Sequence, residues 1–170
     1  FIDNILPMHK AAILEDVQNN IVVLKNAISN RREFRLLSNV SSDSAAPKLS
    51  DEHINQLDSK YLVETILLDD IIPYLPKQDD GSEFKRAIMK IDVNGFETRA
   101  LRSASKLFDK LDIKVVLIEW GNILNSDRKY LNETIEFFTS RNYKPFLMEI
   151  PLELDENEKW GFIVKWIKQT

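Results

Sequence analysis

The 170-residue chain has no cysteine. This excludes a disulfide framework, a thiolate zinc site and a cysteine nucleophile. Histidine is scarce: His9 and His53 are the only two, and they stand in different segments. That leaves little material for a histidine-rich metal site or a Ser-His-Asp triad, and no metal ligands are assigned. The four glycines, Gly81, Gly95, Gly121 and Gly161, are too far apart for a G-x-G-x-x-G turn. No apolar run approaches the ~20 residues that a spanning helix needs. The charged and apolar regions of a signal peptide are missing as well. Membrane contact is therefore not expected from this segment, and the cytoplasm and the secretory lumen both stay open. The net charge of −4 gives no electrostatic reason to expect a nucleic-acid partner.

What is present suits one globular domain. Hydrophobic residues make up 44% of the chain, an ordinary share, and the length allows a sizeable core. The reading is a single domain over 1–170 with no internal repeat. The first residue is Phe1, inside a pattern, and the expectation is an N-terminally incomplete domain.

Along the chain, residues 3–18 read as a helix with Asp3 as cap. The apolar run 21–24, rich in β-branched residues, reads as a buried strand that continues towards Ser29. Residues 30–32 read as a turn, and 33–37 as a second strand forming a hairpin with the first. Residues 39–59 lack periodicity and read as a mobile loop. Two glycosylation sequons, at Asn39 and Asn132, are matches of a kind common by chance. Residues 61–66 read as a short strand, 71–75 as a helical turn opened by Asp69 or Asp70, and 77–82 as a polar loop.

The stretch AIMKIDVNGFETRA, residues 87–100, organises the rest. Ile88, Met89 and Ile91 read as a buried strand. Asp92, Val93, Asn94 and Gly95 make a tight polar turn. Phe96, Ala100, Leu101, Ala104, Leu107, Phe108 and Leu111 then mark one face of a single helix. KVVLIEW, residues 114–120, is nearly all apolar and reads as a strand covered on both faces. Residues 121–127 read as a loop, 130–140 as a helix, and 143–149 and 161–167 as two closing strands. Strands alternating with helices argue for an α/β layered sheet, with an antiparallel strand at its far edge. Ligands of open α/β sheets bind beyond the carboxyl ends of the strands, which is where Asp92, Asn94, Glu97 and Glu119 fall.

Three segments in order, LLDDIIPYL, AIMKIDVNGFETRAL and KVVLIEWG, resemble the FkbM-type methyltransferases, a branch of the class I S-adenosylmethionine-dependent family. The family pattern runs T-L-D-D, then K-I-D-V-E-G-x-E, a helix, and a strand ending in Glu. Residues 65–70, 90–97 and 115–119 match it at workable spacing, and 21–29 is similar to the strand before them. The resemblance implies a Rossmann-like, mostly parallel class I sheet and S-adenosyl-L-methionine as cofactor. It implies methyl transfer, to an oxygen of a small-molecule or glycan acceptor. Asp92, Asn94 and Glu119 are then the candidate catalytic residues. Asn26, Ala27, Asp92 and Gly95 are the candidate cofactor contacts, with Asn26 and Ala27 bordering the adenine ring.

Two departures accompany the resemblance. Asn94 stands where the family has Glu, and an amide cannot act as a base near neutral pH. The glycine-rich loop is missing, so the first two strands of the sheet are expected upstream of Phe1. Those strands lie between the third and fourth strands of the family sheet. The segment alone is therefore expected to expose unpaired strand edges, to be marginally stable and to be inactive. Two other readings stand beside methyl transfer: a methyltransferase-like scaffold that has lost catalysis, and a haloacid-dehalogenase-type phosphatase suggested by the Asp-Val-Asn order.

For single residues the bland roles are a helix cap for Asp92 and a turn filler for Asn94. Glu97 would complement the dipole of the following helix. Trp120, Trp160 and Trp166 read as core or rim aromatics. The Asp69-Asp70 and Asp79-Asp80 pairs read as a helix start and a solvated loop.

Overall fold

A computed structural model describes residues 2–38, 48–49, 62–154, 157 and 160–169. It is a mixed α/β structure with two sheets. Helix α1 spans Ile2–Leu14, so Asp3 lies inside the helix rather than ahead of it. Strand β1 is only Ala27–Ile28. The apolar run before it forms no strand: Ile21, Val22 and Val23 are exposed and no ladder partner lies beside them among the described residues. A β-branched run needs a neighbouring strand before its propensity counts.

Strand β2, Phe34–Ser38, is not a hairpin partner of β1. It pairs antiparallel with β3, Lys48–Leu49, and with β4, Leu62–Ile66. β4 in turn pairs parallel with β1, giving the order β1-β4-β2-β3. Thr65, fully buried, explains the insertion of β4. Its hydroxyl donates to the Arg31 carbonyl at 2.7 Å and accepts from the Glu33 amide at 3.0 Å. The aperiodic stretch thus contributes one short strand, while the remainder of 39–59, with the Asn39 sequon, lies outside the described residues.

The second sheet holds β5 Arg86–Ile91, β6 Asp112–Glu119, β7 Tyr143–Leu147, β8 Ile150–Pro151 and β9 Ile163–Lys168, in the order β5-β6-β9-β7-β8. Among the described residues only β5–β6 and β1–β4 are parallel ladders, so the expectation of a mostly parallel sheet is corrected there. The far edge is antiparallel as expected, with β8 against β7, and the last strand, β9, inserts antiparallel between β6 and β7.

One face of this sheet carries the core. Val116, Ile118, Val164 and Trp166 are buried together with Leu101, Leu107, Phe108, Leu131 and Phe138 of the helices. Phe138 stacks on Trp166 with ring centroids 4.5 Å apart and planes 12° apart, a geometry that adds to the area effect. The other face carries Ile88, Leu117 and Ile163, all exposed. β6 is therefore covered on one face, not two. β5 lies at the edge of its sheet, one of the exposed strand edges expected, but its apolar residues are not buried throughout as expected: Ile88 is 80% exposed.

The single helix expected after Gly95 is two. α2 spans Glu97–Arg102 and α3 spans Ser105–Lys110. A 3-10 helix, Leu68–Tyr74, makes the break. The Leu68 amide donates to Ser103 Oγ at 2.8 Å and the Asp69 amide to the Ser103 carbonyl at 2.8 Å. These long-range bonds use groups that would otherwise carry the helix onward. The expected loop at 121–127 begins instead with a short helix, α4, Trp120–Leu124. α5, Arg128–Thr139, is capped by Asp127, which accepts from the Lys129 amide at 2.9 Å. Thr134 of the second sequon is fully buried within α5, bonded to Thr98 Oγ1 at 2.8 Å. There the threonine is a packing residue.

Candidate functional site

β5 and β6 run parallel, with Ile91 opposite Ile118, so both leave the sheet at the same edge. This places Asp92 one residue past β5 and Glu119 at the end of β6. Lys90 reaches forward and binds Asp92, Nζ to Oδ2, at 2.6 Å. That bond and the aspartate's charge raise the Lys90 ammonium above its ordinary range. Asn122, from α4, donates its amide to Glu119 Oε2.

Glu119 is half-buried and sits in a field of like charge. Burial first, then the neighbouring carboxylates of Asp92 and Glu97, push its carboxyl above the usual range. Such a group holds a proton more readily than a free glutamate, and is a stronger base when ionised.

The turn between β5 and α2 is built by two consecutive left-handed residues, Asn94 at φ 52° and Gly95 at φ 96°. Glycine tolerates this, and asparagine does so better than most residues. Asparagine at 94 thus has a conformational reason. Glu97 folds back under the turn. Its Oε1 accepts from the Val93 amide at 3.2 Å and the Gly95 amide at 3.1 Å. It is 1% exposed, so its place is under the turn rather than on a solvated helix end.

Beside this edge runs an apolar groove of about 440 Å³ whose lining includes Ile28, Leu68, Ile71, Met89, Asp92 and Val93. Ile28 of β1 stands on its wall, whereas Asn26 and Ala27 do not line it. Asn26 donates to the Glu64 carbonyl at 3.4 Å, and Ala27 pairs with Thr65. A wider cleft of about 890 Å³, lined by Glu83, Phe84, Asp109 and Asp112 among others, lies where β5 and β6 begin and holds none of the candidate residues. Among the described residues no group of three or more His, Asp or Glu is placed to hold a metal ion. No helix among them is long and apolar enough to cross a membrane.

The edge thus gathers Asp92, Asn94, Gly95 and Glu119 and leaves Asn26 and Ala27 on the far sheet. It also gathers Glu97, which the sequence reading placed at this edge, and adds two residues to which that reading assigned no site role, Lys90 and Asn122. Lys90 and Glu97 lie inside the matching motif. Asn122 lay in an expected loop and had no signal.

A family model for the FkbM methyltransferase domain matches residues 4–145. The chain belongs to this family. The match runs from α1 into β7 and contains every residue of the edge described above. Membership in the FkbM family implies methyl transfer in general terms, and it displaces the phosphatase reading of the Asp-Val-Asn order. β9, which completes the sheet beside β6, lies beyond the matched residues. No curated protein and no solved structure matches the chain.

Proposed function

We propose that this FkbM domain takes part in S-adenosylmethionine-dependent methyl transfer to an oxygen of a small-molecule or glycan acceptor. The observation that carries the reading is the meeting of Asp92 and Glu119 at one strand edge, inside the stretch matched by the family model. We also read the five-stranded sheet as part of a Rossmann-like class I sheet. The parallel β5–β6 pair, followed by an antiparallel β9 inserted before β7, supports this.

The residues present suit the cofactor. Asp92, Glu97 and Glu119 bring three carboxylates to the edge, where Lys90 is bonded to Asp92, and this favours a ligand group carrying positive charge. The adjoining groove offers Ile28, Leu68, Ile71 and Met89 to an apolar or aromatic moiety. Asp92 and Gly95 would hold the cofactor from the β5 side; Asn26 and Ala27, which do not line the groove, are proposed to border its adenine only through their neighbour Ile28 on the groove wall. When bound, the cofactor supplies an electrophilic methyl group on a sulfonium.

The chain's own residues do the rest. Glu119, with its raised carboxyl, takes the proton of an acceptor hydroxyl, and Asn122 holds it in place. Asp92 is fixed by Lys90, which keeps the carboxylate oriented at the edge. Asn94 presents its amide from the left-handed turn to orient the acceptor.

Calorimetric titration of S-adenosylmethionine into the folded protein tests the proposal. Binding, weakened by Asp92→Ala, is expected. A folded protein that binds none would sink it and favour the non-catalytic scaffold.

A further inference from the structure

Glu97 ties the helical layer to the turn that carries the candidate site. Its backbone opens α2, and α2 is fixed against the core. Ala100 and Leu101 are 1% exposed, and Thr98 Oγ1 is bonded to Thr134 Oγ1 of α5 at 2.8 Å. From this platform the side chain runs back to the end of β5. One oxygen, Oε1, accepts from the Val93 amide at 3.2 Å and from the Gly95 amide at 3.1 Å. Those two amides stand on either side of Asn94.

The turn has a physical need for such a clamp. A left-handed backbone is unfavourable for a residue with a Cβ, and Asn94 and Gly95 adopt it in succession, at φ 52° and 96°. The backbone bond within the turn, from the Phe96 amide to the Val93 carbonyl, is long at 3.3 Å. Without Oε1 the Val93 and Gly95 amides lose this acceptor, and an amide left unpaired away from water is costly. Asp92 directly precedes the clamped residues and Asn94 lies between them, so a relaxed turn displaces both.

We infer that Glu97 is a positioning residue for the proposed methyl transfer: by binding the amides on either side of Asn94, it holds Asp92, Asn94 and Gly95 in the arrangement that receives the cofactor. The inference rests on the methyl-transfer reading and adds a residue to it. Glu97, 1% exposed, acts through the backbone of the turn and not by contact with a ligand.

Three substitutions separate the acceptor oxygen from charge and bulk. Glu97→Gln keeps an oxygen at the same reach and removes the charge. Glu97→Asp keeps the charge and draws it back by one methylene. Glu97→Met keeps the length and supplies no strong acceptor. S-adenosylmethionine is titrated calorimetrically into the folded wild type and each variant, below every melting transition. The Gly95 amide is followed in ¹H–¹⁵N correlation spectra. Glu97→Gln should bind within about threefold of wild type, and Glu97→Asp and Glu97→Met at least about tenfold more weakly, the scale of one hydrogen bond to a charged group. The Gly95 signal should stay near its wild-type position in Glu97→Gln and move in the other two.

A role in stability alone would lower melting temperatures and leave the affinity of the folded protein unchanged. Equal affinity in Glu97→Gln and Glu97→Met would therefore overturn the inference, because those two differ in the acceptor oxygen. Full affinity in Glu97→Asp, with loss in the other two, would assign the effect to charge. Should Glu97→Met fail to fold, the aspartate decides: binding as tight as that of Glu97→Gln overturns the inference. A folded wild type that binds no S-adenosylmethionine removes the methyl-transfer reading, and the inference with it. Binding by the wild type, with no difference among the variants, removes the positioning role alone.

Discussion

Asp69 caps a helix that begins thirty-six residues further along the chain. Its carboxylate accepts from the Leu107 amide at 2.9 Å and from the Lys106 amide at 3.3 Å, both in the first turn of α3. Its own amide is bonded to the Ser103 carbonyl. One aspartate therefore ends α2 and starts α3, and this fixes how the helical layer lies against β5 and β6.

Asp69→Ala should cost about 1–2 kcal/mol, the loss of a side-chain cap. Asp69→Asn, which keeps an acceptor oxygen, should cost less. Urea unfolding at neutral pH measures both. Equal stability of the alanine variant and the wild type would mean that water replaces the cap.

Asp70, the next residue, serves the first sheet instead. Arg32 binds it through two nitrogens, Nε at 2.9 Å and Nη2 at 2.6 Å. The Arg32 hydrogen bond holds the carboxyl below the usual range, partly offset by burial and helped by the Leu67 amide. A lowered folded-state value means that stability is present above the unfolded aspartate's range and is lost as pH falls through the folded one. Arg32→Met should therefore lower the melting temperature at neutral pH, by a small amount because the arginine is exposed. The difference should vanish in acid, once Asp70 is protonated in both proteins. A gap that persists in acid would make Arg32 a packing residue.

Glu119 has the opposite sign. Its carboxyl is raised by burial and by Asp92 and Glu97. The fold therefore carries a penalty that appears as pH rises from the unfolded glutamate's range through the folded value. Glu119→Gln should melt at a higher temperature than wild type at neutral pH, and the gain should shrink in acid. Methyl transfer, by contrast, should fall by roughly 10²-fold or more if Glu119 is the base. Stabilisation with full activity would leave Glu119 structural.

The three tryptophans differ in a way that substitution should reveal. Trp120 Nε1 donates to the Asn157 carbonyl at 3.1 Å, and Trp160 Nε1 to the Glu153 carbonyl at 3.1 Å. Trp166 Nε1 is buried without a partner. Each tryptophan loses similar volume on replacement by phenylalanine, but only Trp120 and Trp160 of the three lose an indole hydrogen bond, while Trp166 sheds an unpartnered N–H. Trp120→Phe should therefore be more destabilising than Trp166→Phe by about 1 kcal/mol. Chemical denaturation of the two variants decides it.

The order of elements was legible because it rests on local pattern. The apolar runs of β5 and β6, the polar turn at Asp92–Gly95 and the amphipathic α5 sit close to their expected places. The places where pattern failed share a cause. Residues 21–23 have strand propensity and, among the described residues, no strand beside them. Residues 96–111 have one helical period, yet Ser103 is captured by Leu68 and Asp69 from a distant turn. Asn122 reaches Glu119 only because α4 folds where a loop was expected. In each case a long-range bond or its absence overrode the local preference.

By itself the sequence determined the chemical alphabet of this protein: no thiols, few imidazoles, and carboxylates placed at the ends of apolar strands. It also carried the FkbM motif in order, because motif identity is a property of residue types and spacing. Only the tertiary structure decided which carboxylate is strained by its neighbours, which face of the sheet is covered and which oxygen of Glu97 lacks a donor. Burial, charge proximity and hydrogen-bond satisfaction depend on groups far apart in the chain, and local spacing does not encode those distances.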